Sequence, residues 1–150
     1  MAFPLPPPMR LALDLAAEAA RSGEVPVGAV VTLGERIVAT SANAMRGGHD
    51  PTAHAEMVAI RAAAKALETP RLDGCALWVT LEPCAMCAGA IALARLSRLY
   101  YAAPDPKGGA VDHGPRLFAQ PTCHHRPDIY AGIGEAEAAG QLRGFFRDRR

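Results

Sequence analysis

Two short segments constrain this chain more than any other part of it: His54-Ala55-Glu56 and, further on, Pro83-Cys84-Ala85-Met86-Cys87. One imidazole and two thiolates can hold a single zinc ion, so a fold that uses them must bring both segments to one place. A tetrahedral zinc with only three protein ligands keeps its fourth position for water or substrate, which is what makes such a site catalytic. Cys84 and Cys87 are three residues apart, a spacing that puts both sulfurs on one face of a helix. Pro83 suits the start of that helix because it loses no helical hydrogen bond there. Thiols in a first turn also feel the positive end of the helix dipole, which favours the thiolate.

His54 is expected at a second helix start, with Asp50 as N-cap, Pro51 behind it, and an apolar run through Met57, Ile60, Ala64 and Leu67. On a regular helix His54 and Glu56 point about 200° apart. Only a pocket meeting the helix end lets the histidine bind metal while Glu56 addresses another side of the bound water. Zinc lowers the pKa of that water towards neutrality, and Glu56 is then placed to act as general acid and base. Blander assignments stay open for each motif taken alone. A C-x-x-C is also a redox pair or half of a structural zinc site. A redox pair leaves His54 and Glu56 without a role, whereas a structural site needs a fourth ligand, for which Cys75, Cys123, His124 and His125 are available.

At 150 residues the chain is one domain of common size. Four cysteines, two of them spent on metal, make no disulfide framework, so a reducing compartment is expected. Pro4, Pro6, Pro7 and Pro8 break any targeting signal, and the nearly apolar stretch from Cys84 to Ala94 is too short to span a bilayer. A soluble, cytoplasmic protein without a membrane partner is expected. Residues 1–8 read as a proline-rich leader and 9–150 as the functional domain.

Helical spacing runs from Met9 to Arg21, with Leu13, Ala16, Ala17 and Ala20 on one side. Val27 to Leu33 and Ile37 to Ala42, split by Gly34-Glu35-Arg36, read as a hairpin. Ala76 to Thr80 and Leu99 to Ala102 are short apolar strands beside helix patterns, as parallel neighbours in a covered sheet would be. Pro104 to Pro127 is too rich in proline and glycine to assign, and a strand at Ile129 to Ala131 and a helix from Glu135 to Arg147 close the chain. The expected architecture is a three-layer α/β/α domain with a central mixed five-stranded sheet.

H-x-E followed by P-C-x-x-C, with the cysteines opening a helix after an apolar strand, is the signature of the zinc nucleobase deaminases. From about Gly23 onward the chain resembles the bacterial tRNA adenosine deaminases of the cytidine/deoxycytidylate deaminase superfamily. The blocks that carry the likeness are Val25-Pro26-Val27-Gly28-Ala29-Val30, Asn43, His49 to Glu56, Thr80 to Ile91, and Asp105-Pro106-Lys107-Gly108-Gly109. The resemblance implies a cytidine-deaminase-like fold, one zinc per chain, and hydrolytic deamination of adenosine to inosine at the wobble position of a tRNA anticodon. It further implies a homodimer in which both subunits help form each RNA site. Carried over by position, His54, Cys84 and Cys87 match the zinc ligands and Glu56 the proton shuttle. Asn43 matches an asparagine that hydrogen-bonds the nucleoside, Ala55 and Glu82 match positions whose backbone lines the base pocket, and Asp105 matches an acidic neighbour of the RNA backbone. Each of these three polar residues also has a plain structural use, Asn43 and Asp105 in turns and Glu82 at a helix approach.

The chain departs from that pattern in its leader and at His124-His125-Arg126, where many relatives carry Asn-His-Arg, which puts the preference for flanking bases in question. A net charge of +1 gives no electrostatic signature of nucleic-acid binding. Basic side chains gather at the C-terminus, where Arg143, Arg147, Arg149 and Arg150 surround Phe145 and Phe146. Arg147, Arg149 and Arg150 are the candidates for contacting an anticodon stem-loop, and a solvated helix end is the alternative. Two other functions remain open: a deaminase of a free base or nucleoside on the same fold, and a catalytically silent, zinc-stabilised RNA-binding subunit. An intact Glu56 argues against the second.

Overall fold

The short apolar runs pair into a single five-stranded sheet in the computed structural model, which describes residues 4–149. The strands are β1 (Gly28–Leu33), β2 (Arg36–Ala42), β3 (Cys75–Leu81), β4 (Arg98–Ala103) and β5 (Asp128–Ala131), in the order β2-β1-β3-β4-β5. β1 is antiparallel to β2 and β3, whereas β3, β4 and β5 run parallel. The sheet is therefore mixed, as expected, and its parallel strands are joined by crossover connections.

Helices α1 (Pro7–Arg21) and α4 (Glu135–Arg147) cover one face, where Met9, Ala12, Leu13 and Ala138 pack on Val30, Ala102 and Ala103. Helices α2 (Ala55–Ala66) and α3 (Ala85–Ala94) cover the other, where Ala59, Ile60, Ala63, Ala88 and Ile91 meet Val31, Leu77, Val79 and Leu99. Alanines line both contacts, so helices lie close to the sheet. At Gly28 a Cβ would stand 2.0 Å from the carbonyl oxygen of Ala12 in α1, which only glycine avoids. Among the described residues no helix is long and apolar enough to cross a membrane.

The helix boundaries differ from expectation in two informative places. Helix α1 starts at Pro7, with Pro7 and Pro8 in its first turn, where a missing N–H costs nothing, and Leu5 packs on the α1/α4 cluster. The helix thus reaches into the expected leader, of which residues 1–3 lie outside the described residues. Helix α2 starts at Ala55, five residues beyond the expected cap. The Asp50 carboxylate instead accepts hydrogen bonds from the Thr52 N–H and hydroxyl, both at 2.8 Å, closing a local turn. The inward face of α2 shifts accordingly to Ala55, Glu56, Ala59, Ile60 and Ala63. A 3₁₀ turn, Leu117–Ala119, gives the unassigned region its one helical segment among the described residues.

Candidate active site

The N-termini of α2 and α3 meet beside the C-terminal end of β3, the end of a parallel strand where open α/β sheets bind ligands. His54 is the N-cap of α2 and Cys84 the N-cap of α3, both with extended backbone, and Cys87 follows in the first turn of α3. Because His54 stands outside its helix, the 200° divergence from Glu56 expected on a regular helix does not arise. His54 Nδ1 lies 3.6 Å from Cys84 Sγ and 3.6 Å from Cys87 Sγ. A tetrahedral zinc with bonds of about 2.3 Å to sulfur and 2.0–2.1 Å to nitrogen sets an N···S edge of about 3.6 Å, so the donor set fits that ion. All three ligand atoms lie within 4.8 Å of one another, and among the described residues no fourth His, Cys, Asp or Glu joins them.

The other candidate ligands are committed elsewhere. Cys75 is 1% exposed in the core, Cys123 donates to the carbonyl of His125, and His125 Nε2 contacts the carbonyl oxygen of Leu96 at 2.6 Å. His124 lies with Cys123 on a separate groove beside α3. The Cys87 contact lowers Cys84 to about 5 against its burial, helped by the first-turn amides and His54. Cys87 is pushed well up by its bond to Cys84 and by burial.

Glu56 sits in the first turn of α2, 4% exposed, and burial pushes its carboxyl up to about 7. It lines an open cleft of about 300 Å³ together with His54, Cys84, Asn43, Ala55, Glu82 and Asp105. All the residues expected to bind the base therefore reach one cleft. Asn43 follows β2 and is 8% exposed, its N–H donating to the Val27 carbonyl. The Ala55 carbonyl accepts from the Ser41 hydroxyl. Asp105 forms a turn, its carboxylate accepting from the Lys107 and Gly108 N–H groups, while still lining the cleft.

Sequence reasoning missed how the rims of this cleft are held. Glu24, 7% exposed, accepts from the Arg46 and Gly47 N–H groups and fixes the loop that carries Met45 to the cleft. Glu82 does the same for the loop after β4, with His113 beside it, and its carboxyl stays below the usual range because hydrogen bonds outweigh burial. The partners are backbone amides, which leave no residue-type signal. At the C-terminus, the Arg149 guanidinium lies 3.6 Å over the Phe145 ring, Arg147 is exposed beside Asp148, and Arg150 is outside the described residues. Phe145 is buried while Phe146 is half exposed.

Comparison with known proteins agrees with this chemistry. Residues 7–103 match the family described as the cytidine and deoxycytidylate deaminase zinc-binding region. The chain is 56% identical over 142 residues to a tRNA-specific adenosine deaminase of Agrobacterium fabrum, covering 95% of this chain and 93% of that one. It is 42% identical to the tRNA-specific adenosine deaminase of Bacillus subtilis, covering 95% and 88%. A solved structure from studies of A-to-I editing by tRNA:A34 deaminases at the wobble position superposes with a TM-score of 0.89 at 56% identity, over 90% of this chain and 98% of that one.

Proposed function

The chain belongs to the cytidine and deoxycytidylate deaminase family, and from that premise we propose that it deaminates adenosine to inosine at the wobble position of a tRNA anticodon. The observation that carries this reading is the His54, Cys84 and Cys87 trio meeting at the edge of one open cleft, which His54, Cys84 and a buried Glu56 line. The substrate follows from the tRNA-specific relatives, which match nearly the whole chain. His54, Cys84 and Cys87 would hold one zinc per chain, which when bound would supply Lewis-acid activation of water at ordinary pH. Glu56 moves the protons. Its carboxylate takes one from the attacking water and delivers it to the ring nitrogen, then takes the second from the hydroxyl added to the ring carbon and delivers it to the amine as the C–N bond breaks, so that water is consumed and ammonia released. Burial raises this carboxyl, which favours its protonated form and so its service as acid as well as base.

Asn43 hydrogen-bonds the nucleoside, the backbone of Ala55 and Glu82 lines the base, and Asp105 neighbours the RNA chain. Since Glu56 lies at the bottom of the cleft, the target base must leave its stack to reach it, as a wobble base in a single-stranded loop can. The protein works as a cytoplasmic homodimer. Helix α3 carries no charged residue, and Leu93 on its outer side is 82% exposed beside an apolar groove, so this helix is the surface a second copy would cover. The test is turnover, side by side, of an anticodon stem-loop and of free guanine, cytosine and adenosine. Deamination of the stem-loop alone is expected. Turnover of a free base with the stem-loop untouched would overturn the tRNA substrate and leave the zinc chemistry standing.

A further inference from the structure

Glu82 is the first residue after β3 and stands directly before Pro83 and the zinc-site cysteine Cys84. Its side chain is wholly buried, and every hydrogen-bond donor on it comes from the segment that follows β4. Oε1 accepts the Asp105 N–H at 2.9 Å and contacts His113 Nδ1 at 2.7 Å. Oε2 accepts the N–H groups of Val111 at 3.1 Å, Asp112 at 2.9 Å and His113 at 3.1 Å. A carboxylate only accepts, so His113 carries its proton on Nδ1. These five donors exceed the about four lone-pair sites that a carboxylate offers, so none of its acceptor capacity is left over.

The segment tied down in this way has no regular structure of its own, yet it brings Asp105 and Gly108 to the cleft. Secondary ties converge on the same place. The Ala110 N–H donates to the Pro83 carbonyl at 2.8 Å, and the Tyr101 hydroxyl donates to Asp112. Gly109 packs so tightly that a Cβ there would stand 2.5 Å from Glu82 Cδ and 2.6 Å from the Asp105 carbonyl oxygen.

We propose that the Glu82 carboxylate is a positioning residue for substrate docking: it fixes residues 105–113 as one wall of the cleft at a set distance from the Cys84 end of α3. This rests on the proposed function and gives the Glu82 side chain a role separate from that of its backbone. The wall meets the bound strand rather than the reacting carbon, so its loss weakens docking and leaves the chemical step intact.

Glu82→Gln is the test. The two are nearly the same shape, but an amide presents one acceptor and one NH₂. Placed either way, the NH₂ faces at least one backbone N–H that the carboxylate had accepted. Unsatisfied buried donors of this kind are expected to raise KM for an anticodon stem-loop about tenfold or more, with kcat near wild type and one zinc retained. An unchanged KM, a fall in kcat alone, or loss of zinc would overturn the proposal. If Glu82→Gln does not fold, Gly109→Ala decides, because it displaces the same wall with the carboxylate in place. The same rise in KM is then expected, and an unchanged KM counts against the proposal. Failure of the stem-loop to react with the wild-type enzyme would instead be a failure of the tRNA reading. Amide hydrogen exchange separates the two: residues 105 and 111–113 should exchange about tenfold or more faster in the folded variant, whichever of the two it is, with α3 unaffected. Unchanged exchange there would refute the wall whatever the substrate.

Discussion

The floor and the wall of the cleft are built by different physics. The floor is made of side chains whose chemistry is their identity: an imidazole, two thiols and a carboxylate at two helix starts. The wall is a loop without regular structure, held by backbone N–H groups that converge on one buried carboxylate. The family match, residues 7–103, contains the whole floor and ends before Asp105. The contrast teaches that the donor set is fixed by residue type and the wall beside it by main-chain anchoring, and the proposals above divide reaction chemistry and substrate docking along that line.

The sharpest way to break that separation is at the floor. Cys84→Ser or Cys87→Ser should lose zinc and all turnover, read by metal analysis and a deamination assay, because each removes one of the three donors that meet there among the described residues. Full zinc occupancy in both variants would remove the trio from the site. Next in size is Glu56→Ala, which should keep zinc and RNA binding while kcat falls by about 10²–10⁴-fold. Loss of zinc in that variant would make Glu56 a ligand. Asn43→Ala should lower kcat/KM on a stem-loop by about 10-fold or more, since it removes a largely buried hydrogen-bonding group from the cleft.

Smaller effects belong to the periphery. Replacing Arg147, Arg149 and Arg150 together by alanine should weaken stem-loop binding and flatten its salt dependence, by about 0.7 in the log–log slope for each phosphate that is no longer neutralised. Arg149 already stacks on Phe145, so most of that change is expected from the other two. Cys75→Ser and Cys123→Ser should leave zinc content unchanged, since the core and the His125 carbonyl already account for them.

Sheet, layers and the His/Cys/Cys trio could be read from the sequence because each leaves a residue-type signature: short apolar strands, helical spacing, and His and Cys at ligand intervals. The last helix was legible to its boundaries, Glu135 and Arg147. The start of α2 was not, because Asp50 satisfies a turn as well as it would a helix cap, and only the competing bonds to Thr52 decide between them. The loop-anchoring roles of the Glu24 and Glu82 side chains were not legible for a related reason. Their partners are amides at Arg46, Gly47, Val111 and Asp112, and any residue except proline supplies an amide.

The central claim, a zinc deaminase acting on a wobble adenosine, meets its most direct test in a mixed tRNA pool incubated with the zinc-loaded protein and then sequenced, with Glu56→Ala alongside. The account predicts A-to-G changes confined to the wobble position of the anticodon, absent with Glu56→Ala although zinc is retained. An unaltered pool with the fully zinc-loaded wild-type protein, or changes spread to other adenosines, would contradict it.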